Sequence, residues 1–359
     1  MKQEQQLRSH YDLIVFCHLR WEFVYQRPQH IISRMAQHGK VLFIEEPLPF
    51  APEEENTARI YQVGDAITVL QPRVRDIEDI GKVFKDMDQI SARVGWMYSP
   101  AFIPLLKTFA LDKVVYDCMD ELTLFRGADP KLVEQEQKLL SVADMVFTGG
   151  KRLYESKKKV HGNVHCFPSS VDHSHFRKAL NGIAVPKDMN FIHQPVVGYY
   201  GVIDERIDMD LLGETAKLLP DACFVMIGPL AKISHDDLAK GHNIHYLGMR
   251  SYEELPGYLK KFDIAMMPFA MNEATHFISP TKTLEYMAAY KPIISTPVYD
   301  VVRDYSHCVH IVSTSLEFRN AVNSIMADKD KGTLIANFDK VLEDTSWDST
   351  VEKMLQILD

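Results

Sequence analysis

The chain has 359 residues, of which 46% are hydrophobic, 25% charged and 10% aromatic. This length suggests two domains with full apolar cores, and the composition excludes a disordered, collagen-like or coiled-coil protein. Its 40 basic and 49 acidic residues give a net charge of −9, which argues against nucleic acid as a partner because that binding needs a basic face.

Short β-rich apolar runs alternate with helical patterns, which is typical of βαβ units and parallel sheets. In the first half we predict helices at 28–38 and 130–141 and strands at 11–17, 41–46, 67–71, 94–98, 113–117, 144–148 and 163–167. In the second half we predict strands at 195–201, 222–228, 243–248, 262–268, 291–296 and 308–312. The stretch 177–194 lacks clear periodicity and is predicted to be the linker.

These elements predict two doubly wound α/β domains of similar size. We place the first domain at residues 1–180, the second at 190–340, and a C-terminal helix at 341–359 that could return to the first domain or pack on the second. In such sheets, ligands bind outside the carboxyl ends of the strands.

The cysteines and the N-terminus bear on the cellular compartment. The five cysteines are far apart and form no Cys-x-x-Cys pair, which predicts reduced thiols and a cytoplasmic protein. The polar first twelve residues do not resemble a secretory signal, and no apolar run is long enough to span a membrane. The run Lys157-Lys158-Lys159 is either a solvated helix end or a patch for peripheral contact with anionic lipid at the inner face of the membrane.

Five segments of the second half together resemble a known family. They are GYYGVIDERIDMDLL (198–212), VMIGP (225–229), NIHYLG (243–248), ELPGYLKKFDIAMMPF (254–269) and SPTKTLEYMAAYKPIIST (279–296). Their order and spacing resemble the donor-binding domain of the group 1 glycosyltransferases, which use nucleotide sugars.

Two segments of the first half extend this resemblance. FPSSVDHSHF (167–176) resembles the family's link between domains, and WEFVYQRPQHIISRMA (21–36) resembles the opening of a bacterial subset that makes cell-surface polysaccharides. The resemblance implies the GT-B fold, in which two facing Rossmann-like domains enclose a cleft. The N-terminal domain would bind the acceptor and the C-terminal domain the nucleotide-sugar donor.

Residues 279–285 form the main candidate donor site. Ser279, Pro280 and Thr281 precede a helical apolar pattern, which predicts a helix start whose free N–H groups suit a diphosphate. Lys282 could place its ammonium on the same phosphates, and Glu285 shares its helix face. The resemblance implies that Glu285 binds the ribose hydroxyls, whereas the residues alone also fit a surface Lys–Glu pair.

The segment 198–212 supplies further candidates. Gly201 allows the backbone to approach a ligand closely. Arg206 lies where the family has a basic residue followed by glycine, so it would clamp the leaving diphosphate; Ile207 replaces that glycine. An exposed loop arginine is the alternative. The Asp-Met-Asp triplet at 208–210 is predicted to cap a helix rather than bind metal, and a second, weaker triplet stands at 86–88.

One position departs from the family's pattern. Retaining members have a glutamate eight residues before the position of Glu285, where it contacts the donor sugar, and this chain has Phe277. Glu273 or Asn272 could substitute, and residues 276–278 are candidate sugar contacts. The sugar and the stereochemical outcome therefore stay open.

The first half carries the candidate acceptor residues. Trp21 and Tyr25 could stack on a sugar or lipid-linked acceptor, and Arg27 could approach a phosphate; the alternative is that this loop covers the sheet edge. Asp120, and next Asp117, could be the general base for the acceptor hydroxyl, with helix capping as the alternative.

We predict an enzyme that transfers a sugar from a nucleotide diphosphate sugar, with UDP favoured, to an acceptor hydroxyl in cell-surface polysaccharide biosynthesis. The loop around Arg250 matches the family's base-binding loop. We expect no cofactor and no metal, since Arg206 and Lys282 would stabilise the departing diphosphate. The alternatives are a catalytically inactive homologue acting as a scaffold or regulator, and a sugar-nucleotide epimerase on the same fold.

Overall fold

The computed structural model describes residues 7–51, 53–84, 89–328 and 331–358. These residues form two compact units that divide between Pro168 and Ser169. The Asp-Met-Asp triplet at 86–88 lies outside the described residues. No described helix is long and apolar enough to cross a membrane, and all five cysteines are free thiols.

The first unit is built on an eight-stranded sheet. Its strands are β1 (His10–Cys17), β2 (Val41–Glu45), β3 (Thr57–Val63), β4 (Ile67–Arg73), β5 (Ser91–Met97), β6 (Ala110–Cys118), β7 (Met145–Thr148) and β8 (Val164–Cys166). They lie in the order β3-β4-β2-β1-β5-β6-β7-β8, and only the β3–β4 pair is antiparallel. The α-helices are α1 (Arg27–Met35), α2 (Lys131–Val142) and α3 (Lys151–Lys157).

The seven strands and two helices predicted for the first half are confirmed. Strand β3 was not predicted. It lies at the edge of the sheet with one neighbour, and its residues alternate between exposed and half-buried, so it has no continuous apolar run.

The second unit contains a six-stranded, fully parallel sheet. Its strands are β9 (Val196–Tyr200), β10 (Cys223–Ile227), β11 (Ile244–Gly248), β12 (Ile264–Met267), β13 (Ile293–Ser295) and β14 (His310–Ile311), in the order β11-β10-β9-β12-β13-β14. Its helices are α4 (His173–Phe176), α5 (Met209–Leu218), α6 (Leu255–Lys261), α7 (Lys282–Ala288), α8 (Tyr299–Tyr305), α9 (Ser315–Ala327), α10 (Gly332–Leu342) and α11 (Trp347–Leu358). All six predicted strands are confirmed.

The segment 177–194, which we predicted to be a linker, lies within the second unit. It forms two short 3-10 turns, Arg177–Ala179 and Lys187–Met189, and buries Met189 and Ile192 in the core of the unit. Its buried residues are too irregularly spaced to give a helical or strand period, which explains why the pattern resembled a linker.

Backbone hydrogen bonds donated by two glycines connect the loops at the carboxyl edge of the second sheet. Gly201 and Gly228 have φ angles of +148° and +147°, which side chains rarely tolerate. A Cβ on Gly228 would overlap the carbonyl oxygen of Gly201. The Gly201 N–H donates to Ile227 O at 2.9 Å, and the Gly228 N–H donates to Gly248 O at 2.9 Å. These contacts bring together the ends of β9, β10 and β11.

Candidate active site

The candidate donor site contains a buried ion pair at the start of α7. Lys282 Nζ lies 3.2 Å from Oε2 of Glu285 and donates to its Oε1 at 3.4 Å. The two side chains are 16% and 4% exposed. Glu285 is therefore not part of a surface pair, and a buried carboxylate of this kind requires compensating partners. The pair fixes one negative and one positive group side by side.

Gly201 is the point at which the loop after β9 approaches Lys282. A Cβ at Gly201 would lie 2.7 Å from the Tyr199 hydroxyl and 3.5 Å from Cε of Lys282. On the other side, Lys282 Nζ lies 5.3 Å from the ring centroid of Tyr200. Burial, together with the nearby Glu285 carboxylate, raises the pKa of Tyr200 well above its usual value, so that hydroxyl is neutral. A side chain at Gly201 would therefore collide with the Tyr199 hydroxyl and crowd the Lys282 side chain.

Arg206 is held in a bidentate ion pair with Asp204. Its Nη2 lies 2.7 Å from Oδ2 of Asp204, and Nε donates to both carboxylate oxygens at 3.0 Å. The guanidinium remains 23% exposed. Both groups influence Tyr199, whose pKa is raised by burial and by Asp204 and Glu285, and lowered by Arg206.

Ile207 stands where the family has a glycine, and the structure shows what its side chain does. It is 5% exposed and packs in the core, while its backbone pairs with Phe269. The Arg206 carbonyl next to it accepts from the Ala270 N–H at 2.8 Å. The loop is therefore fastened to the end of β12, and the change from glycine adds core packing.

The predicted helix start at Ser279 is wrong in position. Helix α7 begins at Lys282, with Thr281 as its N-cap and no side-chain cap. Ser169 holds the preceding residues instead, because its hydroxyl donates to Ser279 O at 3.1 Å and accepts from the Thr281 hydroxyl at 3.1 Å. The Pro280 carbonyl accepts from the Thr283 N–H at 3.2 Å, so Pro280 forms a turn directly ahead of α7.

Arg250, which we predicted to lie near the nucleobase, is hydrogen-bonded to three other residues of the chain. Its Nε donates to the Tyr258 hydroxyl at 2.6 Å, Nη2 to Asp188 at 2.7 Å and Nη1 to Met249 O at 2.8 Å. These bonds raise the pKa of Arg250, with Asp188 contributing most. The guanidinium fixes the loop after β11, and Met249 beside it is exposed.

Residue Glu205 was missed by the sequence analysis. It lies between Asp204 and Arg206, and its side chain is 13% exposed. Oε1 lies 3.5 Å from Lys232 Nζ, whereas Oε2 is buried without a hydrogen-bond partner among the described residues. The Glu205 carbonyl accepts from the Asn272 amide at 3.3 Å, while Glu273 is exposed to solvent. A second acidic residue in the same motif was the signal that could have identified it.

The candidate sugar contacts at 276–278 follow β12. Ile278 is buried in the core, and the His276 and Phe277 rings meet edge to face at 5.2 Å. The Asn272 and Thr275 side chains bond each other's backbone N–H groups at 3.0 and 3.1 Å, so they fix the turn that precedes them. No carboxylate stands at Phe277 itself.

In the first unit, Arg27 and Asp117 do not lie in the accessible positions that their predicted roles require. They form a buried ion pair in which Arg27 Nη2 lies 2.9 Å from Oδ1 of Asp117, and Nη1 donates to Phe167 O at 2.7 Å. Arg27 is 4% exposed and Asp117 is fully buried. Burial raises the pKa of Asp117, and Arg27 opposes this effect. Neither group is accessible to a phosphate or an acceptor hydroxyl, so their observed role is structural.

Trp21, Tyr25 and Asp120 are half-buried and remain candidates on the acceptor side. The backbone N–H of Trp21 donates to Oε1 of the fully buried Glu45 at 2.8 Å, and the Trp21 ring meets Phe43 edge to face at 5.0 Å. Tyr25 packs edge to face against His30 at 4.7 Å. These contacts hold the loop after β1 in one conformation, as a preformed binding loop would require.

Lys157, the first residue of the lysine run that we considered as a lipid-binding patch, cannot contribute to such a patch. This side chain is buried and contacts Glu121 at 2.9 Å and Glu136 at 2.8 Å. Glu136 lies on α2 and also accepts from the Tyr116 hydroxyl of β6 at 2.7 Å, so Lys157 joins a buried polar cluster. Only Lys158 and Lys159 of the run are exposed.

The Asp-Met-Asp triplet at 208–210 starts α5. Asp208 Oδ1 accepts from the Leu211 N–H at 2.8 Å, which confirms the predicted capping role. Across the described ranges, no group of three or more His, Cys, Asp or Glu side chains is arranged to hold a metal ion.

The chain is similar in sequence to a known family and to a curated protein. Residues 194–328 match the family model described as glycosyl transferases group 1. A curated relative is TuaH of Bacillus subtilis (strain 168), named for glycosyl transfer in teichuronic acid biosynthesis, with 26% identity over 218 residues. The match covers 56% of this chain and 54% of TuaH, so the chain spans about half the length of that relative.

Solved structures are similar over nearly the whole chain. Sucrose-phosphate synthase from Thermosynechococcus elongatus has a TM-score of 0.70 at 14% identity, with 98% of both chains covered. Anabaena HepE in complex with UDP and glucose has a TM-score of 0.66 at 11% identity, covering 97% of this chain and 99% of HepE. These likenesses confirm the predicted fold as that of GT-B proteins, with two parallel-sheet α/β domains.

Proposed function

We propose that this chain, whose residues 194–328 form a group 1 glycosyltransferase domain, transfers a sugar from a UDP-sugar to an acceptor hydroxyl. The observation that carries the proposal is the buried Lys282–Glu285 pair beside Gly201. A carboxylate held in a low-dielectric position accepts strong hydrogen bonds from a ribose, and the adjacent ammonium attracts a diphosphate.

Departure of the diphosphate is the step that the cationic groups would assist. Negative charge develops on the leaving phosphate oxygens, and Lys282 and Arg206 present fixed positive charge in a partly buried site. Asp204 holds the Arg206 guanidinium in place, which reduces the cost of ordering it in the transition state. We propose that these two cations serve in place of a metal ion.

The acceptor and the biological role are proposed from the first unit and the relatives. Trp21 and Tyr25 lie in a loop held by hydrogen bonds and ring contacts, and Asp120 is the accessible carboxylate that could take the acceptor proton. TuaH is named for teichuronic acid biosynthesis and HepE was solved with UDP and glucose. HepE supports a UDP-sugar donor, and TuaH supports a role in cell-surface polysaccharide synthesis. We propose a sugar or lipid-linked glycan as the acceptor.

The test compares UDP, GDP and ADP by thermal shift and titration calorimetry on wild type and Glu285→Gln. We expect UDP to stabilise wild type most, and Glu285→Gln to weaken UDP binding about 10- to 100-fold, because charge-assisted hydrogen bonds contribute roughly 1.5–3 kcal/mol. Lys282→Met is the second variant, and Glu352→Gln, an exposed carboxylate of α11, is the matched control.

Three outcomes would redirect the proposal. No stabilisation of wild type by any nucleotide at millimolar concentration would exclude a nucleotide-sugar site. Tight UDP-sugar binding without hydrolysis or transfer to any acceptor would favour the inactive scaffold instead, and conversion of the UDP-sugar to its epimer would favour the epimerase.

A further inference from the structure

The first unit contains a cavity that none of the candidate donor or acceptor residues lines. Helices α2 and α3 form its walls, and its volume is about 470 Å³. Small-molecule sites usually have volumes of about 300–1,000 Å³, so a ligand of modest size would fit. Its lining includes three charged side chains, Glu121, Glu136 and Lys157, and two apolar ones, Leu140 and Val160.

The ammonium of Lys157 is fully used by the two carboxylates of the cavity wall. A lysine ammonium has three N–H groups to donate. Nζ donates to Oε1 and Oε2 of Glu121 at 3.0 and 2.9 Å, and to Oε1 of Glu136 at 2.8 Å. Lys157 therefore has no N–H group left for an anionic ligand.

The same wall keeps hydrogen-bond acceptors that are not used up. Lys157 and the Tyr116 hydroxyl both donate to Oε1 of Glu136, at 2.8 and 2.7 Å. Among the described residues no group donates to Oε2 of Glu136, and this side chain is 13% exposed on the cavity wall. The Ser141 hydroxyl donates to the Lys138 carbonyl at 2.7 Å, so its oxygen is left as an acceptor. The cavity therefore suits a ligand that donates hydrogen bonds.

The charges of the cavity wall do not balance. Two carboxylates share one ammonium, which leaves one negative charge in excess. Burial and the neighbouring Glu136 raise the pKa of Glu121, and Lys157 opposes this effect. Lys157 thus only partly relieves the repulsion between the carboxylates, and a second cation would relieve it further. Gln137 and Ser156 also line the cavity, and as neutral groups they leave this balance unchanged.

We propose that this cavity binds a small aliphatic ammonium compound. The ammonium group donates to Oε2 of Glu136, and the methylene groups pack on Leu140 and Val160, of which Val160 is 65% exposed without a ligand. A carboxylate or phosphate ligand would instead meet two glutamates whose only lysine is already committed. The proposal is independent of the proposed function, because it involves no nucleotide and no residue of the second unit.

The experiment asks whether the cavity selects a cation. The full chain is titrated by calorimetry with 1,4-diaminobutane, 1,4-butanediol and succinate at physiological ionic strength, which screens weak attraction to the acidic surface. We expect the diamine to bind wild type, and Glu136→Gln to raise its Kd about 10- to 100-fold, because a charge-assisted hydrogen bond is lost. The diol and succinate should bind at least about 10-fold more weakly than the diamine. Glu134→Gln, an exposed carboxylate of the same helix, is the matched control and should leave Kd unchanged.

A second variant tests the cavity without altering its charges. Val160→Trp replaces an exposed side chain of the lining, so the chain should fold, and the larger ring should occupy part of the cavity and weaken the diamine. It decides the question if Glu136→Gln does not fold by circular dichroism.

Four results would overturn the proposal. They are no binding of the diamine at millimolar concentration, binding of the diol or succinate as tight as that of the diamine, an equal loss in Glu134→Gln and Glu136→Gln, and unchanged diamine binding in Val160→Trp. The third would show that the diamine responds only to the charge of the surface, and the fourth that it binds elsewhere.

Discussion

At the scale of single residues, the buried Arg27–Asp117 pair shows how burial distinguishes a structural residue from a catalytic one. The Arg27 guanidinium donates from Nε and Nη2 to Asp117 and from Nη1 to the Phe167 carbonyl. The partners lie 90 residues apart in the chain, so no local pattern connects them. A catalytic base must reach its substrate, whereas Asp117 neutralises an arginine in the interior.

Removing the charge of Asp117 should therefore destabilise the first unit. Asp117→Asn leaves the Arg27 guanidinium buried without a counter-charge, and we expect a loss of about 3–5 kcal/mol in free energy of unfolding. Urea titration followed by tryptophan fluorescence, to which Trp96 on neighbouring strand β5 contributes, measures this change. The matched control is Asp112→Asn, an exposed aspartate of the same strand β6, with an expected change within about 0.5 kcal/mol. Equal stability of the two variants would contradict the structural role.

At the scale of secondary structure, the sequence predicts the buried strands and helices well. It predicts poorly the segments whose positions depend on contacts with distant residues. Strands such as β1 and β10 are continuous apolar runs, because both faces of a parallel sheet are covered. Lys282 and Glu285 were predicted to share a helix face from their spacing alone. The burial of Glu285, the start of α7 and the position of 177–194 were not predictable, because each depends on contacts with distant residues such as Ser169.

Helix α3 is held by ion pairs of Lys157 that its sequence does not reveal. Lys157 begins a basic run, yet it joins α3 to Glu136 of α2 and to Glu121 before the turn Leu122–Leu124. Burial and the neighbouring Glu136 raise the pKa of Glu121, and Lys157 opposes this effect. The lysine therefore keeps two nearby carboxylates together in the interior, and only the two lysines after it can meet a membrane.

Lys157→Met should unfold at lower urea than wild type. The methionine fills a similar volume but leaves two buried carboxylates without their cation, and we expect a loss of about 3–5 kcal/mol. Lys158→Met is the matched control, since that side chain is exposed and its removal should cost less than about 0.5 kcal/mol. Circular dichroism during urea titration reports both values. If Lys157→Met were as stable as the control, α3 would be held by its apolar contacts alone.

At the scale of the whole molecule, the candidate donor groups lie on one unit. Gly201 and Arg206 lie in the loop after β9, and Lys282 and Glu285 lie at the start of α7. The second unit contains all four of these residues. Trp21, Tyr25 and Asp120 belong to the first unit. The proposed chemistry thus divides between a donor-binding unit and an acceptor-binding unit, and nucleotide alone should affect the two units differently.

Hydrogen exchange with and without UDP should reveal this division. At a UDP concentration of 100 times Kd, binding adds about 2.7 kcal/mol to any opening that disrupts the site, so exchange there should slow about 100-fold. We expect this protection in peptides covering 198–208, 249–254 and 279–288, and little change in peptides of the first unit around 18–27 and 117–124. The intact chain is labelled, then digested and analysed by mass spectrometry. At the same UDP concentration, protection in Glu285→Gln should fall to about 2- to 11-fold. Protection confined to the first unit would show that the nucleotide binds elsewhere, and it would remove the Lys282–Glu285 pair from the proposed mechanism.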